Sequence, residues 1–219
     1  MQMSIADILT DSELVELRSS LAESRFVDGR ETAGWSAALV KLNEQAADDI
    51  SIERQATDIV TKLQNHIIFR IAAYPKRFIK TVFSRYRPGM AYGSHVDNGI
   101  MDGERTDISF TLFLSDPETY DGGELILETA SGDEMIKLPA GSLFTYPSTT
   151  LHRVAEVRHG ERLALVGWVR SYIRDASKRE LLFDLETARR LLFDREGKTP
   201  EFDLLSKSSA NLLRMWVDD

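Results

Sequence analysis

Tyr86-Arg87-Pro88-Gly89-Met90-Ala91-Tyr92-Gly93-Ser94-His95-Val96-Asp97-Asn98 sets a histidine and an aspartate two residues apart, just after a turn-rich Pro-Gly pair. In an extended segment residues i and i+2 point to the same face, so the His95 imidazole and the Asp97 carboxylate can converge on one ion. A surface His-x-Asp arises often by chance and is then simply solvated. A third ligand is needed before the pair means a metal centre.

His152 supplies it, in Tyr146-Pro147-Ser148-Thr149-Thr150-Leu151-His152-Arg153-Val154, 57 residues on from His95. Several strand-like runs lie between, enough chain to cross a small barrel and return. Two histidines and one carboxylate on one face form the ligand set of non-heme Fe(II) oxygenases, which leaves coordination positions open. Ten residues after His152 comes Arg162, in Gly160-Glu161-Arg162-Leu163-Ala164-Leu165-Val166-Gly167-Trp168. A guanidinium there can hold the far end of a dicarboxylate with a bidentate fork.

His95-x-Asp97, His152 and Arg162 together resemble the Fe(II)- and 2-oxoglutarate-dependent dioxygenases of the prolyl-4-hydroxylase-like branch. The run from Gly89 to Asn98 and the helical C-terminal extension are similar to the bacterial PKHD-type hydroxylases associated with iron uptake. The resemblance is strongest over residues 78–172. It implies that His95, Asp97 and His152 bind Fe(II), that 2-oxoglutarate chelates the metal, and that Arg162 pairs with its C5 carboxylate. It further implies that Tyr86 hydrogen-bonds the same co-substrate, that O2 is the second co-substrate, and that L-ascorbate re-reduces the iron. The expected reaction is hydroxylation of an unactivated C–H bond, coupled to decarboxylation of 2-oxoglutarate to succinate and CO2.

The substrate implied by the resemblance is a prolyl or lysyl side chain in a protein, and a small molecule such as an amino acid or siderophore-like compound is its equal. Tyr92, Asn98 and Trp35 are candidate pocket neighbours. Two rival classes stay open. A cupin-type metalloenzyme that does not use 2-oxoglutarate would bind metal without needing Arg162, and a non-catalytic iron or 2-oxoglutarate sensor would keep all four residues.

Composition sets the outer bounds. The chain has 219 residues, of which 42% are hydrophobic, enough to bury one sizeable core. A net charge of −8 and a pI near 5.1 disfavour a general nucleic-acid or anionic-membrane binder, since both need a positive field. There is no cysteine, so a metal must be held by histidine and carboxylate. The N-terminus lacks the basic start and apolar stretch of a secretory signal, and no run reaches the length of a membrane span, so a cytoplasmic protein is expected.

Periodicity divides the chain into a helical support region (residues 1–77), a catalytic core (78–175) and a helical extension (176–219). Thr10-Asp11-Ser12-Glu13 is a capping box ahead of Leu14, Leu17 and Leu21 at helical spacing. Residues 26–35 read as a loop, in which Trp35 either caps the core or belongs to a substrate lid. Residues 51–65 read as a second amphipathic helix, with His66 as its structural or capping end. Strand patterns follow at 78–86, at 107–114, in a hairpin over 125–138, at 143–146 and at 162–169. In residues 107–114 Ser109 and Thr111 alternate with Phe110 and Leu112, without indicating which pair faces the metal. Gly122-Gly123 precedes no helix, so it is not a phosphate loop; the resemblance implies that it is a strand start framing the pocket. His159 reads as an exposed turn residue. Residues 178–193 and 201–216 read as helices that pack on the barrel or on a second copy as a homodimer. The expected architecture is mainly β, a double-stranded β-helix or jelly roll of cupin-like form, flanked by helices.

Overall fold

Thr10 opens the first helix as its sequence indicates. Its hydroxyl accepts from the Glu13 amide, and the Glu13 carboxylate accepts from the Thr10 amide at 2.9 Å, so two otherwise orphaned donors of α1 (Asp11–Glu23) are satisfied. Leu14, Leu17 and Leu21 are its buried stripe. The structure, a computed structural model, describes residues 1–218. Asp49 caps α2 (Ile50–Asn65) by accepting from the Ser51 amide at 2.8 Å. His66 ends that helix and caps the next, its Nδ1 accepting from the Phe69 amide of α3 (Ile67–Ala73). Tyr74, in the left-handed region with φ of 44°, turns the chain into the main sheet.

Two antiparallel sheets face each other. The larger has seven strands in the order β1-β13-β9-β16-β5-β4-β2, and the smaller has five in the order β12-β11-β14-β6-β3. The early strands are β1 (Met3–Ile5), β2 (Phe26–Asp28), β3 (Lys41–Leu42) and β4 (Glu44–Ala46). Next come β5 (Pro75–Tyr86), β6 (Ala91–His95) and the short hairpin of β7 (Ile100–Met101) with β8 (Glu104–Arg105). The remainder are β9 (Ile108–Phe113), β10 (Asp121–Gly122), β11 (Leu125–Thr129), β12 (Gly132–Ile136), β13 (Leu143–Pro147), β14 (His152–Val154), β15 (Val157–His159) and β16 (Arg162–Ser171). This is the jelly roll expected from the sequence, with helices on one side. One correction concerns residues 1–77: besides three helices they supply β1, β2 and β4 to the larger sheet and β3 to the smaller.

The alternation of β9 decides which face each side chain takes. Ile108, Phe110 and Leu112 join Leu14, Leu21, Ile59, Leu63 and Phe69 in the core between the large sheet and the helices. Phe113 instead packs with Leu125, Leu127, Phe144 and Tyr146 between the two sheets. Each fully buried leucine or phenylalanine contributes about 1.5–3 kcal/mol relative to exposure. Gly167 of β16 marks the tightest approach on the helix side. A β-carbon there would stand 2.4 Å from Cζ of Phe110 and 3.0 Å from Cγ2 of Thr81. Gly167→Ala is therefore expected to cost about 1–3 kcal/mol by overpacking, which for a domain of this size lowers the melting temperature by roughly 2–12 °C. Thermal unfolding followed by circular dichroism checks this, and an unchanged midpoint would show that the ring relaxes freely.

At the C-terminus, α4 (Ala176–Glu196) and α5 (Pro200–Trp216) pack on each other, and α4 also packs on α3. Among the described residues no helix is long and apolar enough to cross a membrane.

Candidate metal centre

His95 and His152 are direct cross-strand partners on β6 and β14, so their imidazoles project from the same face of the smaller sheet. Their ring centroids are 4.2 Å apart. Asp97, two residues beyond the end of β6, brings one carboxylate oxygen to 4.0 Å from Nε2 of His95 and the other to 3.9 Å from Nε2 of His152. One ligand atom from each of the three residues lies within 4.8 Å of the others, the only such cluster among the described residues. That spacing suits a single ion at ordinary Fe–N and Fe–O bond lengths of about 2 Å.

The backbone sets the tautomer of both rings. Nδ1 of His95 donates to the Gly93 carbonyl at 2.9 Å, and Nδ1 of His152 donates to the Thr150 carbonyl at 3.0 Å. Each Nε2 lone pair is thereby left for a metal. Burial first, and the neighbouring His152 next, lower the His95 imidazole to about 4, so it is neutral and ready to ligate at neutral pH. Ser109 of β9 donates to Asp97 at 2.6 Å and lies 2.8 Å from the Ser148 hydroxyl, which fixes the carboxylate from behind. The Tyr92 ring stacks on His95 at 3.6 Å between centroids, and Tyr146 meets His152 edge-on at 5.0 Å.

A cavity of about 260 Å³ opens from this centre and also contains Arg162 and Tyr86. These two are paired in register at adjoining ends of β16 and β5, with the guanidinium 5.2 Å from the Tyr86 ring. Arg162 is 1% exposed, yet its Nε and Nη1 have no hydrogen-bond partner, and the buried Tyr120 hydroxyl is also unpartnered. A buried cation in this state is costly unless an anion completes it. Gly123 makes room for it: at φ of 67° it carries no side chain, and a β-carbon there would stand 3.0 Å from Cδ of Arg162. The donor set thus fits a carboxylate at one end of the cavity and a metal on its wall.

Of the candidate pocket neighbours, Tyr92 and Asn98 line the cavity. Trp35 does not: its neighbours Gly34 and Ala37 do, while Trp35 itself is 86% exposed, so its reading as a cap on the core is not met. Trp35 lies in the loop between two short 3-10 turns, Gly29–Thr32 and Ala37–Val40. His159 is exposed, as expected. Sequence reasoning missed Ser109 as the support of Asp97 and missed Lys41 and Lys80, which also line the cavity. The polar alternation of β9 was the available signal for Ser109. None marked the lysines.

A jelly roll with this centre in its mouth defines the class of 2-oxoglutarate and Fe(II) oxygenases, and residues 81–170 match the sequence profile of the 2OG-Fe(II) oxygenase superfamily. That span runs from β5 to β16 and includes the three candidate ligands, Tyr86 and Arg162. Over their whole length, a PKHD-type hydroxylase of Synechococcus elongatus is 55% identical and one of Acaryochloris marina 52% identical, with 100% of each chain covered. The chain belongs to the PKHD-type hydroxylases. Solved structures share the fold. A Pseudomonas putida prolyl-4-hydroxylase superposes with a TM-score of 0.54 at 24% identity, covering 78% of this chain and 92% of its own. HygX from Streptomyces hygroscopicus, solved with nickel and 2-oxoglutarate bound, gives 0.58 at 14% identity, covering 78% and 84%.

Proposed function

We propose that the protein hydroxylates an unactivated C–H bond of a protein side chain or a small molecule, with His95, Asp97 and His152 holding Fe(II) and Arg162 holding 2-oxoglutarate. The observation that carries this reading is the buried, half-unpartnered Arg162 in the same cavity as the three clustered ligands. Fe(II) with 2-oxoglutarate supplies the oxidising chemistry: one oxygen atom of O2 goes into succinate as CO2 leaves, and the other is inserted into the C–H bond.

The chain's own residues do the rest. The Nε2 atoms of two imidazoles and one carboxylate oxygen would hold the Fe(II), and three protein ligands would leave coordination positions open for co-substrates. Ser109 keeps Asp97 oriented, and the Gly93 and Thr150 carbonyls keep both rings in the ligating tautomer. Arg162 presents two free donors to the C5 carboxylate, with Tyr86 beside it. Val82, Val166 and Leu125 line the same space and keep water from it. The reading includes L-ascorbate as the reductant that restores Fe(II), supported by family membership, and residence in the cytoplasm, supported by the absence of cysteine. Exposed Leu181, Leu191, Leu204 and Met215 on α4 and α5 support a homodimer through these helices.

The test is an anaerobic titration with Fe(II) and then 2-oxoglutarate, followed by admission of O2. A weak visible charge-transfer band is expected when both are bound, and succinate after O2 is admitted. Iron binding without the band would favour a cupin-type metalloenzyme. A band with no succinate under any substrate would favour a sensor.

A further inference from the structure

Beyond Arg162, the cavity holds a second buried cation. Lys41 on β3 is 7% exposed and lines the cavity wall. Its ammonium donates to the Thr32 hydroxyl at 3.2 Å and stands 5.1 Å from the centroid of the Tyr92 ring, the same ring that stacks on His95. Thr32 gives its own proton to Gln45 at 2.6 Å and so can only accept from Lys41, which holds the ammonium in place. No carboxylate among the described residues pairs with it. The two nearby acids are engaged elsewhere: Asp97 faces both imidazoles and Ser109, and Asp28 is forked onto the guanidinium and amide of Arg30.

Charge balance gives this weight. With Fe(II), Asp97, Arg162 and a 2-oxoglutarate dianion in place, the charges of the centre cancel. Lys80 and Asp102 also line the cavity, but both are exposed to solvent and carry opposite charges. Lys41 remains as an uncompensated ammonium one aromatic ring away from a metal ligand. Burial, and next the charge of Lys80, lower it from the usual lysine range to about 8, so the ammonium form is disfavoured here and a bound anion would restore it. Trp168 lines the same cavity and has a buried indole N–H without a partner, so the substrate end offers a further donor.

We infer that the prime substrate carries a carboxylate and that Lys41 is the residue that reads it, holding the substrate across the Tyr92 ring from the metal. This rests on the hydroxylase reading above and narrows its substrate to acids, either the α-carboxylate of an amino acid or peptide end or an acidic side chain.

The experiment uses protein loaded anaerobically with Fe(II) and 2-oxoglutarate, whose charge-transfer band reports the hydroxylase reading independently. The loaded protein is offered an equimolar mixture of N-acetyl amino acids, each as its free acid and its primary amide, and the retained compounds are counted by mass spectrometry after ultrafiltration. Free acids favoured over amides indicate α-carboxylate recognition. Amides of aspartate and glutamate favoured over those of asparagine and glutamine indicate side-chain recognition. The expected preference for the carboxylate is about tenfold or more, falling to within about twofold in Lys41→Met and kept in Lys41→Arg. Absence of a carboxylate preference in the native protein, whether neither member or both are held, overturns the inference. So does a preference that survives Lys41→Met, or one lost only in Arg162→Met, which would place the anion in the co-substrate site.

Discussion

Asp97→Ala is expected to leave a folded protein that has lost its iron. The two imidazoles alone give a bidentate site, and since altering even a hydrogen-bond partner of a ligand commonly costs 10–100-fold in metal affinity, removing the only charged ligand should cost at least about 100-fold. Stability moves far less. Ser109, which donates to Asp97, keeps the Ser148 hydroxyl as a neighbour at 2.8 Å, so no buried hydroxyl is orphaned, and a buried carboxylate beside two imidazoles is removed. The apoprotein's unfolding free energy should stay within about 1–2 kcal/mol of the native value. Equilibrium dialysis against Fe(II) under argon, beside chemical denaturation of the metal-free protein, measures both quantities. Retention of one tightly bound iron would remove Asp97 from the ligand set.

Arg162→Met separates binding from stability by moving them in opposite directions. Truncating one partner of a buried hydrogen-bonded charge pair costs about 2–5 kcal/mol, so the Kd for 2-oxoglutarate should rise roughly 30- to 4000-fold. In the metal-free, co-substrate-free protein the same guanidinium is a buried charge with two unpartnered nitrogens, set against the rings of Tyr86 and Phe113 at 5.2 and 5.5 Å. Replacing it with an apolar side chain of similar length should therefore stabilise the apoprotein. Isothermal titration with 2-oxoglutarate and thermal melting of the apoprotein give the two signs. Unchanged affinity would place the dicarboxylate elsewhere in the cavity.

The clustering of His95, Asp97 and His152 beside Arg162 was legible from spacing, because strand geometry converts i, i+2 into one face and the helical flanks bracket the strand-rich core. α1, α2, α4 and α5 were legible too, from the capping box at Thr10 and from the helical spacing of apolar residues. What escaped depends on contacts between distant segments. β1 to β4 are two or three residues long, too short for any period to register. α3, Ile67–Ala73, is a short apolar run that fits strand or helix equally until His66 caps it. Burial of Lys41 arises because β3 pairs with β6, a contact invisible in the residues around it. Exposure of Trp35 is likewise set by how its loop is placed against the rest of the fold, which its own residues do not encode.

The pairing of His95 with His152 across β6 and β14 fixes the order of events in the life of the molecule. The two rings come from segments 57 residues apart, and neither has a second imidazole within its own stretch of chain. A one-residue slip between these strands would send the rings to opposite faces. The full three-residue cluster therefore forms only when β6 and β14 have paired, and the metal-free protein is expected to be already folded.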